Sequence, residues 1–186
     1  MNAATSEPVD PVSPAGRIYL AITDKLLAAE YDRRKAFEGR AAALLTSSGT
    51  MLTLIFGLTV LVTGKDAVFA SPAAIYALIA AMIAFLASAV VAIVVQAQGY
   101  EYSVLSDDSL RSLARDNNEW ARRADDATRA WVNKQVSTIC TMRAGNSTKA
   151  KQVAFSLWSQ VAAIALLAVS VGIELSSRVP PLIYLP

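Results

Sequence analysis

The sequence predicts an all-α integral membrane protein with three transmembrane helices and a cytoplasmic helical stalk. Three observations carry that prediction: charge is scarce, the scarcity is confined to three runs, and basic residues gather on one side of those runs. Of 186 residues, 54% are hydrophobic and 17% are charged, where a soluble domain carries about 25% charged residues. Residues 41–64, 67–100 and 152–173 contain no charge, over 24, 34 and 22 positions. A hydrocarbon core about 30 Å thick needs about 20 apolar residues as helix, so each run can cross once.

Taken in order, residues 1–16 read as a disordered arm. They carry Glu7 and Asp10 and prolines at 8, 11 and 14, and they lack the basic start and apolar stretch of a signal peptide. Residues 17–40 read as a cytoplasmic helix, because Ile22, Leu26 and Ala29 recur at helical spacing and charged pairs such as Glu30 with Arg34 line up along it. Only Gly39 separates it from the first span, so one nearly continuous helix is expected. The first span covers 41–64, an external loop 65–71, and the second span 72–98, opening at Pro72 where a first-turn proline is tolerated.

Residues 99–151 form a cytoplasmic helical segment that must leave and regain the same membrane face. Turn signals occur at Ser106-Asp107-Asp108-Ser109 and Asp116-Asn117-Asn118, and Gly145-Asn146-Ser147 reads as a break before the third span. Leu113, Asn117, Trp120, Ala124, Ala127 and Trp131 nevertheless keep a 4-3-4-3-4 spacing through the second turn signal. That spacing is a coiled-coil association seam of about three heptads, with Asn117 as a register-setting position. It favours a turn at 106–109 and a long helix from about 109 to 144. The third span covers 152–174, and 175–186 form an external tail.

Basic residues set the orientation. Fifteen lie before the first span or between the second and third, against only Lys65 and Arg178 on the other side. The positive-inside rule puts the N-terminus in the cytoplasm and the C-terminus outside, in a bacterial inner membrane.

Composition also narrows the chemistry. There is no histidine, one cysteine, and a net charge of +2. The commonest general base and metal ligand is missing, and nucleic-acid binding has no basic surplus behind it. No catalytic, cofactor or metal-binding residue stands out, and the phosphate-loop and hydrolase motifs are absent. The chain is expected not to be an enzyme, to need no cofactor or metal, and to have the lipid bilayer as its first partner.

The most polar span is the first. Thr46, Gly49, Thr50, Thr53 and Gly57 fall on one face as a hydroxylated small-residue strip. Small residues let helices approach closely, and hydroxyls hydrogen-bond across the contact. Two readings stay open, helix packing inside one protomer or the lining of an oligomeric pore.

The stretch Ala28-Ala29-Glu30-Tyr31-Asp32-Arg33-Arg34-Lys35-Ala36-Phe37-Glu38-Gly39-Arg40, running into Thr46-Ser47-Ser48-Gly49-Thr50, resembles small bacterial membrane proteins common in actinobacteria. More loosely, the layout is similar to the SLATT-type transmembrane effectors of bacterial conflict systems. That resemblance implies a cytoplasmic helix, a two-span hairpin, a further long helix, and a pore-forming or membrane-disrupting role; a third span goes beyond the plan. The expected function is a self-associating, membrane-perturbing effector. The alternative is an accessory or scaffold subunit that engages another protein through its cytoplasmic helices.

Overall fold

The computed structural model describes residues 12–63, 71–99 and 107–178. Every regular element among them is a helix: α1 (Pro14–Thr63), α2 (Pro72–Ala97), α3 (Asp107–Arg115), α4 (Asn117–Trp120) and α5 (Ala124–Arg178). Most of the N-terminal arm, the expected external loop apart from Ser71, the segment before α3 and the end of the tail lie outside the described residues. The helices divide into a first unit (Met1–Arg34 with Tyr100–Ser147) and a second (Lys35–Gly99 with Thr148–Pro186).

Helix α1 begins inside the arm. Ser13 caps it, its hydroxyl accepting from the Gly16 amide at 3.1 Å, and Pro14 takes the first helical position. A Cβ at Gly16 would lie 2.9 Å from Val12 Cγ1 and 3.2 Å from Asp125 Oδ1. The bare glycine therefore lets the Asp125 carboxylate reach the Ser13 amide at 2.8 Å.

Two expected breaks resolve in opposite ways. The long helix expected from 109 to 144 is instead three elements, and Asp116 lies between α3 and α4. Aspartate and asparagine side chains compete for backbone hydrogen bonds and favour helix ends. The expected turn at 106–109 is, from Asp107 onward, the first turn of α3. By contrast, α5 runs straight through Gly145-Asn146-Ser147 for 55 residues in all. The Asn146 carboxamide is spent on α1 rather than on a cap, donating to the Glu30 carbonyl at 3.0 Å.

In the first unit, α1 and α5 run parallel, because their contacts keep a nearly constant sequence separation: 112 for Thr23 with Gln135, 113 for Glu30 with Arg143. The α1 positions turned inward are Gly16, Leu20, Thr23, Leu27, Glu30 and Arg34, a regular 4-3 alternation. Ile22 and Leu26, whose spacing predicted the helix, are 48% and 39% exposed. The inward seam runs one residue further along, through Thr23, Leu27 and Glu30.

In the second unit, α1 and α5 again pair in parallel, Glu38 with Lys149 and Ser47 with Gln160, at separations of 111 and 113. Helix α2 runs antiparallel to α5, since Ser88 meets Ser156 while Ala74 meets Ser170. Two apolar clusters hold the three helices. One joins Phe37, Ala41, Ala92, Val95 and Val153; the other joins Ile55, Phe85 and Ala163.

Two helices among the described residues are long and apolar enough to cross a membrane, Pro72–Ala97 and Ala124–Ser177. Three were expected. The described side chains of the first expected span end at Gly57 and are rich in threonine, serine and glycine, which lowers their apolarity.

Candidate functional site

The interior contacts of both units are unusually polar for helices with so many apolar residues. In the first unit, the Thr23 hydroxyl donates to Gln135 Oε1, and Gln135 Nε2 donates to Asp24 Oδ1. About two turns along α1, Arg143 Nε donates to Glu30 Oε1 at 2.9 Å and Asn146 Nδ2 to Glu30 Oε2 at 3.0 Å. Asn146 is fully buried and Glu30 nearly so. Burial alone would raise the Glu30 carboxyl. Hydrogen bonds from Asn146 and Arg143, with the charges of Arg143 and Arg33, outweigh it and hold the carboxyl below its ordinary range.

In the second unit, fully buried Lys149 donates to Glu38 Oε1 at 2.7 Å. Deeper in, Ser88 and Ser156 clasp each other's backbones, each hydroxyl donating to the other's carbonyl at 2.9 Å. The Ser48 hydroxyl reaches Ser88 Oγ at 3.4 Å, so three helices meet through serine. Gln160 donates to Ser47, Ser170 donates to the Ala74 carbonyl at 2.7 Å, and Glu174 accepts from the Ser71 amide at the start of α2. That carboxylate faces the positive end of the helix. Small hydroxylated residues permit close helix approach and are satisfied across the contact.

The sequence-predicted strip lies elsewhere. Thr46, Gly49, Thr50, Thr53 and Gly57 are all exposed on the outward face of α1, and a Cβ added at Gly49 or Gly57 would touch nothing within 4 Å. The threonine hydroxyls donate back along their own helix, to Ala42, Thr46 and Gly49 carbonyls at 2.9–3.0 Å. Among the described residues the strip lies on the exposed face of α1, with open space beside Gly49 and Gly57.

The predicted association seam is scattered over three helices. Leu113 lies in α3 with its side chain outside the described residues. Asn117 and Trp120 lie exposed in α4, and of the α5 members Ala124 is half-buried while Ala127 and Trp131 are exposed. The inward positions of α5 begin instead with Ala124, Thr128, Val132 and Gln135. No protein-family model, curated protein or solved structure matches the chain.

The residues missed in the sequence are Thr23, Glu30, Asn146, Lys149, Ser156, Gln160 and Ser170. The signal was present: these side chains fall on the same 4-3 alternation as Phe37, Ala41 and Val153. A search restricted to apolar residues passes over them. A search for serine and glutamine inside a charge-free run finds Ser156, Gln160 and Ser170, because polar groups in such a run turn away from lipid; Thr23, Glu30, Asn146 and Lys149 lie outside those runs.

One cleft of about 550 Å³ opens in the first unit, between Ser13, Gly16 and Tyr19 of the α1 entry and Arg123, Asp126, Arg129 and Asn133 around the start of α5. The Ser13 amide and hydroxyl hold the neighbouring Asp125 carboxyl below its ordinary value. That carboxylate serves to join two helix starts.

Proposed function

We propose that the chain is a non-enzymatic, three-span inner-membrane protein that self-associates through the outward face of α1 and perturbs or perforates the bilayer as an effector. The observation that carries this reading is the contrast between the outer faces of the second unit. On α2 the outward residues are large and apolar, among them Ile75, Ile79, Ile83, Leu86, Val90 and Ile93, each 40% exposed or more. On α5 they include Phe155, Trp158, Val161 and Ile164. Lipid tails cover such faces at no cost, whereas water does not. The outward side of α1 also exposes Met51, Leu54 and Phe56, but sets Thr46, Gly49, Thr50, Thr53 and Gly57 beside them, residue types of helix–helix contacts in membranes. The first charge-free run then crosses beside the other two, with the N-terminus cytoplasmic and the C-terminus outside. Parallel α1 and α5 with antiparallel α2 is the arrangement such a topology requires. The likeness to SLATT-type effectors points the same way.

Controlled expression with a membrane-potential dye tests the effector role. Depolarisation that scales with the oligomeric fraction is expected, and Thr50→Leu should reduce both together. An intact potential at high oligomer load sinks the pore. A second reading, a scaffold subunit, is favoured by apolar residues left exposed in the first unit, notably Ile18, Tyr19, Ile22 and Trp120. It predicts stoichiometric co-purification with an unrelated protein and no leak.

A further inference from the structure

Arg40 and Lys151 are the last charges before the first and third charge-free runs. The fold brings these two boundary cations to one level on neighbouring helices. Glu38 meets Lys149 across the parallel α1 and α5, and two residues further along each helix stand Arg40 and Lys151. Arg40 also lies seven residues, about two turns, before Ser47, which bonds Gln160, so it stands on the α5 side of α1. Both cations are exposed, and neither has an ion-pair partner among the described residues. The described part of the second unit holds two carboxylates, Glu38 and Glu174. Glu38 is taken by Lys149, and Glu174 accepts from the Ser71 amide at the far end of α5.

Just past the cations the surface turns aromatic and then apolar. Trp158 follows Lys151 by two turns on the same outward stripe of α5, beside exposed Phe155, and is itself 71% exposed. Helical side chains lean toward the N-terminus of their helix, so the indole covers the turn on the Lys151 side of its own Cα. Its N–H has no acceptor among the described residues. Exposed Val161 continues the face. Unpaired charge, then an aromatic donor, then apolar surface is the order of phosphate, ester and acyl chain in one lipid leaflet.

We propose that Arg40 and Lys151 together bind the phosphate of an anionic phospholipid in the cytoplasmic leaflet. Trp158 donates to its ester region, and the acyl chains lie on Phe155 and Val161. The inference rests on the membrane reading above and names a lipid class that the bilayer must present to this chain. A zwitterionic lipid carries the same phosphate, but its ammonium sets a third positive charge beside two cations that have no carboxylate of their own. A headgroup of net negative charge is therefore preferred.

The full chain in nanodiscs of equal phosphatidylglycerol and phosphatidylcholine tests it, with the lipid retained on release read by native mass spectrometry. Phosphatidylglycerol should be kept over phosphatidylcholine by about tenfold or more. Arg40→Gln and Lys151→Gln should each reduce that preference about fivefold, whereas Lys151→Arg should preserve it. Trp158→Phe, which keeps a ring but drops the N–H, should reduce it by a smaller factor. Equal retention of the two lipids by the unaltered chain overturns the proposal. So does an equal loss in the double variant Arg17→Gln with Lys25→Gln, exposed cations of the first unit, because preference would then follow net charge alone. Inorganic phosphate that strips the lipid beyond the effect of chloride at equal ionic strength assigns the pair to a soluble anion and overturns it as well. Alkaline carbonate extraction of native membranes keeps the two readings apart. Release of the chain sinks the membrane reading and the site with it, whereas a retained chain without lipid preference sinks the site alone.

Discussion

The two units join α1 to α5 with different chemistry. In the first, the seam is closed by a carboxylate, a guanidinium and carboxamides at Glu30, Arg143, Asn146 and Gln135. In the second, α1 meets α5 through the Glu38–Lys149 ion pair, the Ser47–Gln160 hydrogen bond and Ile55 packed in one cluster with Ala163, while α2 joins them through Phe85 and the serine hydroxyls. Charge suits a seam whose outer edge reaches water, as Arg143 does with a side chain 53% exposed. Compact hydroxyls suit a seam whose outer faces are apolar, since each finds its acceptor on the neighbouring backbone and needs no solvent. Parallel pairing is common to both units; what differs is the surroundings each contact must tolerate.

Substitutions at four positions sharpen that contrast. The largest loss is expected at Phe85, fully buried between Ile55 and Ala163. Phe85→Ala should lower the stability of the second unit by about 3–4 kcal/mol, read as thermal unfolding in detergent. Lys149→Ala should cost somewhat less, about 2–3 kcal/mol, because the Glu38 side chain left behind is 32% exposed and partly rehydrates. Lys149→Met, which keeps the packing, should recover part of it. If both changes are silent, the ion pair does not hold that end of the bundle.

Glu30 supplies a pH test confined to the first unit. Its carboxyl is held below the ordinary value of 4.5, so its contribution is complete above that value and is lost as pH falls through the lowered folded value. Glu30→Gln keeps the shape and should remove this acid-dependent loss, at a cost of about 1.5–3 kcal/mol at neutral pH. An unchanged acid slope in the variant would assign the effect to other carboxylates. The smallest change is expected at Ser88→Ala, about 0.6 kcal/mol, the average for a hydrogen bond between membrane helices. Ser156 would lose a hydroxyl donor but keep its own bond to the residue 88 carbonyl. A loss several times larger would mean that the three-serine contact acts as a unit.

Much of the fold is readable along the chain, and the misreadings have a common cause. Charge-free runs locate apolar helices because charge and lipid exclude each other, and Pro72 marks the start of α2. Breaks are harder, since Asp116 and Asn146 belong to the same turn-favouring class. Asp116 lies between two helices, whereas Asn146 finds an acceptor 116 residues away in Glu30 and stays helical. Local preference decides where no partner is at hand. A distant partner overrides it.

The candidate strip on α1 divides along the same line. Its residue types and spacing follow from Thr46, Gly49, Thr50, Thr53 and Gly57 in sequence. Whether they face inward does not, because α1 offers several faces with 4-3 alternation and all look alike on a helical wheel. The fold selects the face through Phe37, Ala41 and Ser48, which meet Ala92, Val95 and Ser88 across the bundle.

By itself, the sequence determined the helical class, the charge-free runs and the division of basic residues, all properties of composition along a line. Only the tertiary structure decided which residues form the seams, that α1 and α5 run parallel in each unit, and that the hydroxyl strip and Trp158 point outward. Those depend on which polar groups satisfy each other across helices more than 100 residues apart, and a buried hydrogen bond is worth its energy only where both partners arrive together.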